Sequence, residues 1–311
     1  MKILLLDTNH SLISEQLSTQ GFELTEDFHS SYKQVLEKIK DFEGIIIRSR
    51  IPIDRHFLEE ATHLKFIARV GAGMENIDVE FARKCGIILI NSPEGNRDAV
   101  AEQVIGMLLV LMQRLFISAF EVKNGIWKRE ENRGDELSGK TVGLIGYGNM
   151  GKEVAKRFSG FGCNVIFYDI LPDIGDEHAT QVTLEELKTQ ADIVSLHVPI
   201  TALTHHLINQ DFIEGMAKPF YLVNTARGKN INTEHLIAGL ESGKILGAAL
   251  DVLEFEKASF ENLEANNPAL DFLLTSEKVL VTPHIAGWTT QSKYKLAQVI
   301  VDKILAAFPA S

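Results

Sequence analysis

Cysteine is scarce in this chain of 311 residues, which has only Cys85 and Cys163. Two thiols form neither a disulfide framework nor a metal site, so each reads as a small buried apolar residue. Positive charge is short as well: 31 Lys and Arg against 42 Asp and Glu leave a formal net charge of −11. That argues against nucleic acid or an anionic membrane as partner, and any anionic ligand would need a local basic pocket. No apolar run approaches transmembrane length. Met1-Lys2-Ile3-Leu4-Leu5-Leu6-Asp7 is too short for a signal peptide and reads as a first strand. Internal repeats and low-complexity segments are missing, and His205-His206 has no third ligand at metal spacing, so the pair reads as surface. What remains is an ordinary soluble composition, 45% hydrophobic and 23% charged, long enough for two domains and expected to be cytoplasmic.

Residues 140–169 organise the rest. The apolar run 141–145, rich in β-branched residues, is a buried-strand pattern. Gly146-Tyr147-Gly148-Asn149-Met150-Gly151 follows at once, and Val154, Ala155 and Phe158 then recur at helical spacing. A second apolar run, 165–168, ends on Asp169. In such a strand–turn–helix–strand unit Gly146 permits the tight turn, Gly148 lets a pyrophosphate approach the backbone, and Gly151 lets helix and strand pack closely. The free N–H groups and the dipole at the helix start favour phosphates. Asp169, 18 residues past Gly151, is placed to accept hydrogen bonds from the adenosine ribose. It would repel a 2′-phosphate, and Ile170-Leu171-Pro172 offers no Arg to bind one, so NAD is expected over NADP.

The N-terminal 95 residues alternate strand signals (3–6, 44–48, 65–70, 87–90) with helical ones (11–20, 32–40, 54–60, 77–85). This alternation predicts a parallel sheet covered by helices, with no phosphate-binding signature of its own. Residues 97–123 read as one long helix, apolar on most faces through 104–116, and therefore buried in a core or a subunit interface. After Asp169, strands are expected at 193–198, 220–224, 245–252 and 279–281, with helices at 184–189, 209–216, 233–242 and 289–308. Residues 97–284 thus form a doubly wound unit of about six strands. Pro93 and Thr282-Pro283 mark the expected crossings between domains. The fold class is α/β: two doubly wound, Rossmann-like parallel-sheet domains with a cleft between them.

Ligands of such sheets bind beyond the carboxyl ends of the strands. Three expected strand ends carry reactive residues: Asn224-Thr225-Ala226-Arg227-Gly228, then Asp251-Val252-Leu253-Glu254-Phe255-Glu256, then Thr282-Pro283-His284. An imidazole, a carboxylate and a guanidinium on neighbouring strand ends suit reversible oxidation of an alcohol. The imidazole takes the hydroxyl proton, the carboxylate holds the imidazole and favours its charged form, and the guanidinium binds a substrate carboxylate in a fork. Taken singly each also has a plain reading: a surface salt bridge for Arg227, a solvated loop acid for Glu256, a capped turn for His284.

Together these stretches resemble the D-isomer-specific 2-hydroxyacid dehydrogenases, from about Ile45 to about Ala297. The glycine turn matches residues 146–151, N-x-A-R-G matches Asn224 to Gly228, G-A-A-L-D-V matches Gly247 to Val252, and P-H-x-x-G-x-T matches Pro283 to Thr289. The resemblance implies that Arg227 binds the substrate carboxylate, that His284 is the acid/base and that Glu256, five positions after Asp251, is its partner in preference to Glu254. Lys257 stands where the family usually has Pro. The resemblance further implies NAD contacts at Val100, Asn149, Met150, His197, Val198, Pro199, Thr225, Ala226, Asp251, Ala286 and Gly287, with His197 a pocket residue and not the base. It implies a substrate domain of residues 1–95 plus 285–311, an NAD-binding domain of residues 96–284, and dimerisation through the 97–123 helix. Within the family the chain is most similar to the 3-phosphoglycerate dehydrogenases, on Arg48-Ser49-Arg50, on the run from Ala68 to Asp78 and on Asn91-Ser92-Pro93-Glu94-Gly95-Asn96. This implies oxidation of 3-phosphoglycerate to 3-phosphohydroxypyruvate, the first step of serine biosynthesis, with Arg48, Ser49, Arg69, Gly71 and Ala72 at the anionic substrate. Glyoxylate and hydroxypyruvate reductases share the triad and are the alternative. The chain ends about 20 residues after the last motif, so the C-terminal regulatory domain of some relatives is not expected. Corepressor scaffolds of the same family carry the triad too, but a disordered peptide-docking tail is not expected here.

Overall fold

The computed structural model describes residues 1–256 and 267–309, and the chain divides into two compact units: Met1–Arg97 with Trp288–Ser311, and Asp98–Gly287. The first unit is a parallel sheet of β1 (Lys2–Leu5), β2 (Glu23–Glu26), β3 (Gly44–Ile47), β4 (Phe66–Arg69) and β5 (Ile88–Asn91), in the order β2-β1-β3-β4-β5. Helices α1 (Leu12–Thr19), α2 (Tyr32–Lys38), α3 (Arg55–Glu60), α4 (Val79–Lys84) and the C-terminal α12 (Thr290–Ala307) cover it. The return of α12 follows from one apolar face: Leu296, Ala297, Ile300, Val301 and Ile304 are buried against Ile3, Leu5, Phe66 and Val70. Gly95 is needed there, because a Cβ would sit 2.6 Å from the Leu296 backbone.

The second unit is a parallel sheet of seven strands in the order β12-β11-β10-β9-β6-β7-β8. These are β6 (Thr141–Ile145), β7 (Asn164–Tyr168), β8 (Thr180–Gln181), β9 (Ile193–Leu196), β10 (Phe220–Asn224), β11 (Ile245–Leu250) and β12 (Val279–Val281). Its helices are α5 (Arg97–Met112), α6 (Leu115–Lys123), α7 (Asn149–Phe158), α8 (Leu184–Gln190), α9 (Gln210–Gly215), α10 (Thr233–Glu241) and α11 (Pro268–Thr275). The chain leaves β6 towards β7 on one side and later returns to β9 on the other, which makes the β6/β9 boundary the switch point where such sheets bind ligands.

Four expectations need correction. Residues 97–123 are not one helix: α5 and α6 meet at a bend of 61°, with Arg114 in the left-handed region at φ 52°. No Pro or Gly marks the break; it is made by the segment that crosses it later in the chain. Asp135 N–H donates to Met112 O at 2.9 Å, and Gly134 lies so close that a Cβ would be 2.5 Å from Gln113 Cα. The burial expected of this stretch holds for α5, whereas α6 leaves Phe120 69% exposed. Three elements lie outside the expected set: β2 and β8 are polar edge strands, and α11, capped by Asn267 with Pro268 in its first turn, buries Leu270 and Leu273. The second sheet therefore has seven strands instead of six. Cys85 is exposed, not buried, because it follows the last turn of α4, whose inner face is carried by Ala82.

Candidate active site

The glycine turn meets the demands placed on it. Gly146 has φ +95°, and a Cβ there would come within 2.5 Å of His197 O; a Cβ on Gly151 would lie 2.2 Å from Gly146 O. Gly148, by contrast, faces open space, with nothing within 4 Å of the Cβ position. Two glycines are thus required by backbone approach and the third keeps room beside the N-terminus of α7 for a phosphate. Asp169 follows β7. Its Oδ2 accepts Tyr147 N–H at 2.7 Å and its Oδ1 accepts Leu171 N–H at 3.0 Å, so the carboxylate is fixed at the edge of an open depression lined by Tyr168, Pro172, Asp173, Gln181 and Glu186. Across the switch point His197 follows β9, with Ser195 Oγ 2.9 Å from its Nε2. Burial pushes its imidazole down to about 3, which leaves it neutral and unsuited to act as a base near pH 7. Val198 packs on Gly146, and Pro199 O accepts Thr204 Oγ1. Thr225 Oγ1 is buried without a hydrogen-bond partner. The open space at Gly148 and this unsatisfied hydroxyl are what a bound dinucleotide would use, and the residues present fit NAD. Val100 and Met150 lie in or against the core of this unit.

The three reactive strand ends stand side by side because β10, β11 and β12 are neighbours. His284 Nδ1 is 2.7 Å from Glu256 Oε2, and Glu256 Oε1 accepts Leu253 N–H at 2.6 Å. A carboxylate on Nδ1 holds the proton there and leaves Nε2 as the working nitrogen. Glu254 is committed elsewhere. Its Oε2 accepts Thr233 N–H and Oγ1–H, at 3.1 and 2.8 Å, and its Oε1 is 2.6 Å from His206 Nε2. Burial raises its carboxyl, but these bonds outweigh burial and hold it below the usual range. His206, read from sequence as surface, is therefore tied into this loop. Arg227 sits on a turn built by the buried Asn224, whose Oδ1 accepts Ala226 N–H and whose Nδ2 donates to Arg227 O. Arg227 Nη1 donates to Ala226 O at 2.6 Å.

Asp251 is 1% exposed and organises the loop of His284. Its Oδ1 accepts Thr282 Oγ1–H at 2.6 Å and Ile285 N–H at 2.8 Å, while its Oδ2 accepts Ala286 N–H at 2.8 Å. Sequence reasoning missed this role, as it missed Asn224 and the close approach at Gly228, where a Cβ would lie 2.0 Å from Leu253 O. Glycine in an N-x-A-R-G turn is a visible signal, but the partner loop it must admit is not. Lys257, the departure from the family pattern, lies outside the described residues.

In the first unit Arg48 follows β3 and Arg69 ends β4, on adjacent strands. The Arg48 guanidinium lies 4.4 Å from the centre of the Trp288 ring, and its backbone N–H donates to Asp7 Oδ2 at 2.6 Å. Burial lowers its pKa, with Asp7 opposing. The Arg69 guanidinium lies over Gly71, where a Cβ would be 1.6 Å from Nη1. Ser49 follows Arg48, and Ala72 O accepts Asn91 Nδ2–H at 2.7 Å. Arg50, the third arginine of this region, is structural: it donates to Leu6 O, Ser30 O and Asp27 O.

Comparison with known proteins identifies the family. The model of the D-isomer specific 2-hydroxyacid dehydrogenase NAD binding domain matches residues 105–286. The hydroxypyruvate reductase of Thermotoga maritima is 35% identical over 288 residues, covering 93% of this chain and 92% of its own. The D-3-phosphoglycerate dehydrogenase of Methanocaldococcus jannaschii is 38% identical over 310 residues, but this chain spans only 57% of its length. Among solved structures, the D-lactate dehydrogenase of Aquifex aeolicus complexed with NAD and lactic acid superposes with a TM-score of 0.85 at 29% identity, covering 99% of this chain and 95% of that one. The chain therefore belongs to the D-isomer-specific 2-hydroxyacid dehydrogenases, two-domain α/β oxidoreductases that use NAD.

Proposed function

We propose that this dehydrogenase interconverts 3-phosphoglycerate and 3-phosphohydroxypyruvate. The observation that carries the reading is the pair Arg48 and Arg69 at the carboxyl ends of adjacent strands in a protein of net charge −11. Two arginines on adjacent strand ends of an acidic chain suit a doubly charged phosphate. Arg227 takes the substrate carboxylate and polarises the 2-oxygen. His284 Nε2 removes the hydroxyl proton in oxidation and returns it in reduction, while Glu256 Oε2 stabilises the imidazolium through Nδ1. NAD, when bound, accepts or supplies the hydride. The residues that would hold it are the turn from Gly146 to Gly151, Asp169, His197 to Pro199, Thr225 and Ala226, and the loop of Asp251, Ala286 and Gly287. Leu115, Phe120 and Val122, 46–69% exposed on α6, suit a second copy of the chain, and a cytoplasmic homodimer is part of this reading.

A second reading, a hydroxypyruvate or glyoxylate reductase, is favoured by the reductase relative whose whole length the chain nearly spans. The test is steady-state NADH formation with 3-phosphoglycerate beside D-glycerate and D-lactate, in wild type, Arg48→Ala and Arg69→Ala. A charge-assisted hydrogen bond contributes about 1.5–3 kcal/mol, so each substitution is expected to raise KM for 3-phosphoglycerate by about 10- to 100-fold and to leave D-glycerate nearly untouched. Equal losses on both substrates would turn the assignment to the unphosphorylated 2-hydroxy acids.

A further inference from the structure

Tyr147 stands between the first two glycines of the turn, where any residue would satisfy the motif. It is 0% exposed. Its ring stacks on Phe167 of β7, with centres 3.8 Å apart and planes at 10°. Its N–H donates to Asp169 Oδ2 at 2.7 Å, and its hydroxyl donates to Asp176 Oδ1 at 2.6 Å. Asp176 Oδ1 also accepts His178 N–H at 3.0 Å, and Lys152 Nζ lies 5.5 Å from the centre of the Tyr147 ring.

One residue of the phosphate turn thus holds both ends of the segment that follows β7. That segment is exposed, with Ile170 at 73% and Leu171 at 58%. Apart from Ile174 packing on the core and an antiparallel bridge from Asp176 to Ala179, its ties among the described residues are three hydrogen bonds: Leu171 N–H to Asp169, Ile174 N–H to Gln181 Oε1 at 3.2 Å, and Gln181 Nε2–H to Leu171 O at 2.7 Å. The same segment supplies Ile170, Pro172 and Asp173 to the wall of the depression beside Asp169. An exposed wall fixed by few bonds loses order easily, and ordering it on binding would weaken affinity.

We infer that Tyr147 and Asp176 are a positioning pair that presets the adenosine wall of the NAD site before the cofactor arrives. Neither touches the reacting atoms, so the pair acts on cofactor affinity and not on the chemical step. The charge-assisted bond is made by a buried hydroxyl, which has no water to replace the lost acceptor.

The test is the dissociation constant of ADP-ribose by calorimetry, with KM for NAD and kcat at saturating NAD, in wild type, Tyr147→Phe, Asp176→Ala, Asp176→Asn and the double variant Tyr147→Phe/Asp176→Ala. Each single loss of the bond is expected to weaken ADP-ribose about 10-fold, with KM for NAD rising in parallel and kcat falling less than about twofold. The double variant should be no weaker than either single one, since both remove the same bond. Asp176→Asn, which keeps an acceptor oxygen, should restore most of the affinity. Unchanged ADP-ribose binding in Asp176→Ala, additive losses in the double variant, or a fall confined to kcat would each overturn the inference. If Tyr147→Phe fails to fold, the contrast between Asp176→Ala and Asp176→Asn decides alone.

Discussion

Gly228→Ala should disable the active site without touching a reactive group. A Cβ at residue 228 would lie 2.0 Å from Leu253 O, 2.1 Å from Leu253 C and 2.5 Å from Glu254 N. All three are backbone atoms, so no side-chain rotation relieves the clash. A carbon and a carbonyl oxygen approach to ~3.3 Å at closest, and one of the two loops must retreat by more than ~1 Å. Leu253 is the wrong residue to move, because its N–H holds Glu256 Oε1 at 2.6 Å and Glu256 Oε2 holds His284 at 2.7 Å. If the other loop yields, Arg227 moves instead. A misplacement of ~1 Å costs about 100-fold in rate, and overpacking costs about 1–3 kcal/mol of stability. We expect kcat/KM to fall about 100-fold while thermal unfolding stays cooperative. Gly106→Ala is the control: nothing lies within 4 Å of its Cβ position in α5, and an exposed helical Gly→Ala change should stabilise by about 0.5–1 kcal/mol. Wild-type kcat/KM in Gly228→Ala would show that the two loops do not hold each other in register.

His284→Ala should lower turnover by about 100- to 10,000-fold with a smaller change in NADH affinity, measured by turnover and fluorescence titration; retention of turnover within a factor of two would remove His284 from its role. Asp169→Ala should raise KM for NAD and narrow the gap to NADP, and unchanged constants for both cofactors would exclude Asp169 as the ribose acceptor. His197 should make the protein acid-sensitive. Its folded pKa, about 3, lies below the ordinary 6.5, so between these values the unfolded chain binds the extra proton and stability falls as pH falls. Urea unfolding at pH 7 and pH 5 should show a loss about 1–2 kcal/mol larger in wild type than in His197→Gln, and parallel losses would mean that the ring protonates freely in the fold.

The parts of the fold legible in the sequence are those whose cause is local. The runs 141–145, 220–224 and 279–281 are buried strands with turn residues at their ends, and they are found as β6, β10 and β12. The caps of α4, α8 and α10 are side chains one position before the helix. Elements whose cause lies elsewhere in the chain were not legible. The Arg114 break depends on Gly134 and Asp135, 20 residues on. The edge strands β2 and β8 are held by a neighbour's backbone and carry no apolar run of their own.

The same distinction separates Asp251 from the residues around it. Read by resemblance, it is an acid near the cofactor; in the fold both of its oxygens are engaged by the His284 loop. Asp251 O accepts His284 N–H as well, at 2.8 Å. These bonds explain how His284 holds φ 54°, a left-handed conformation that non-glycine residues adopt at a cost of about 1–3 kcal/mol when nothing else favours it. An extended His284 would break the bonds to Ile285 and Ala286 that bring the chain back under Asp251. Because the next two amides are donated to one buried carboxylate, the imidazole is left on the outside of the turn, against Glu256. The acid/base residue is legible as a motif; the geometry that presents it is written in an aspartate 33 residues earlier and in a strand, β11, that the motif does not contain.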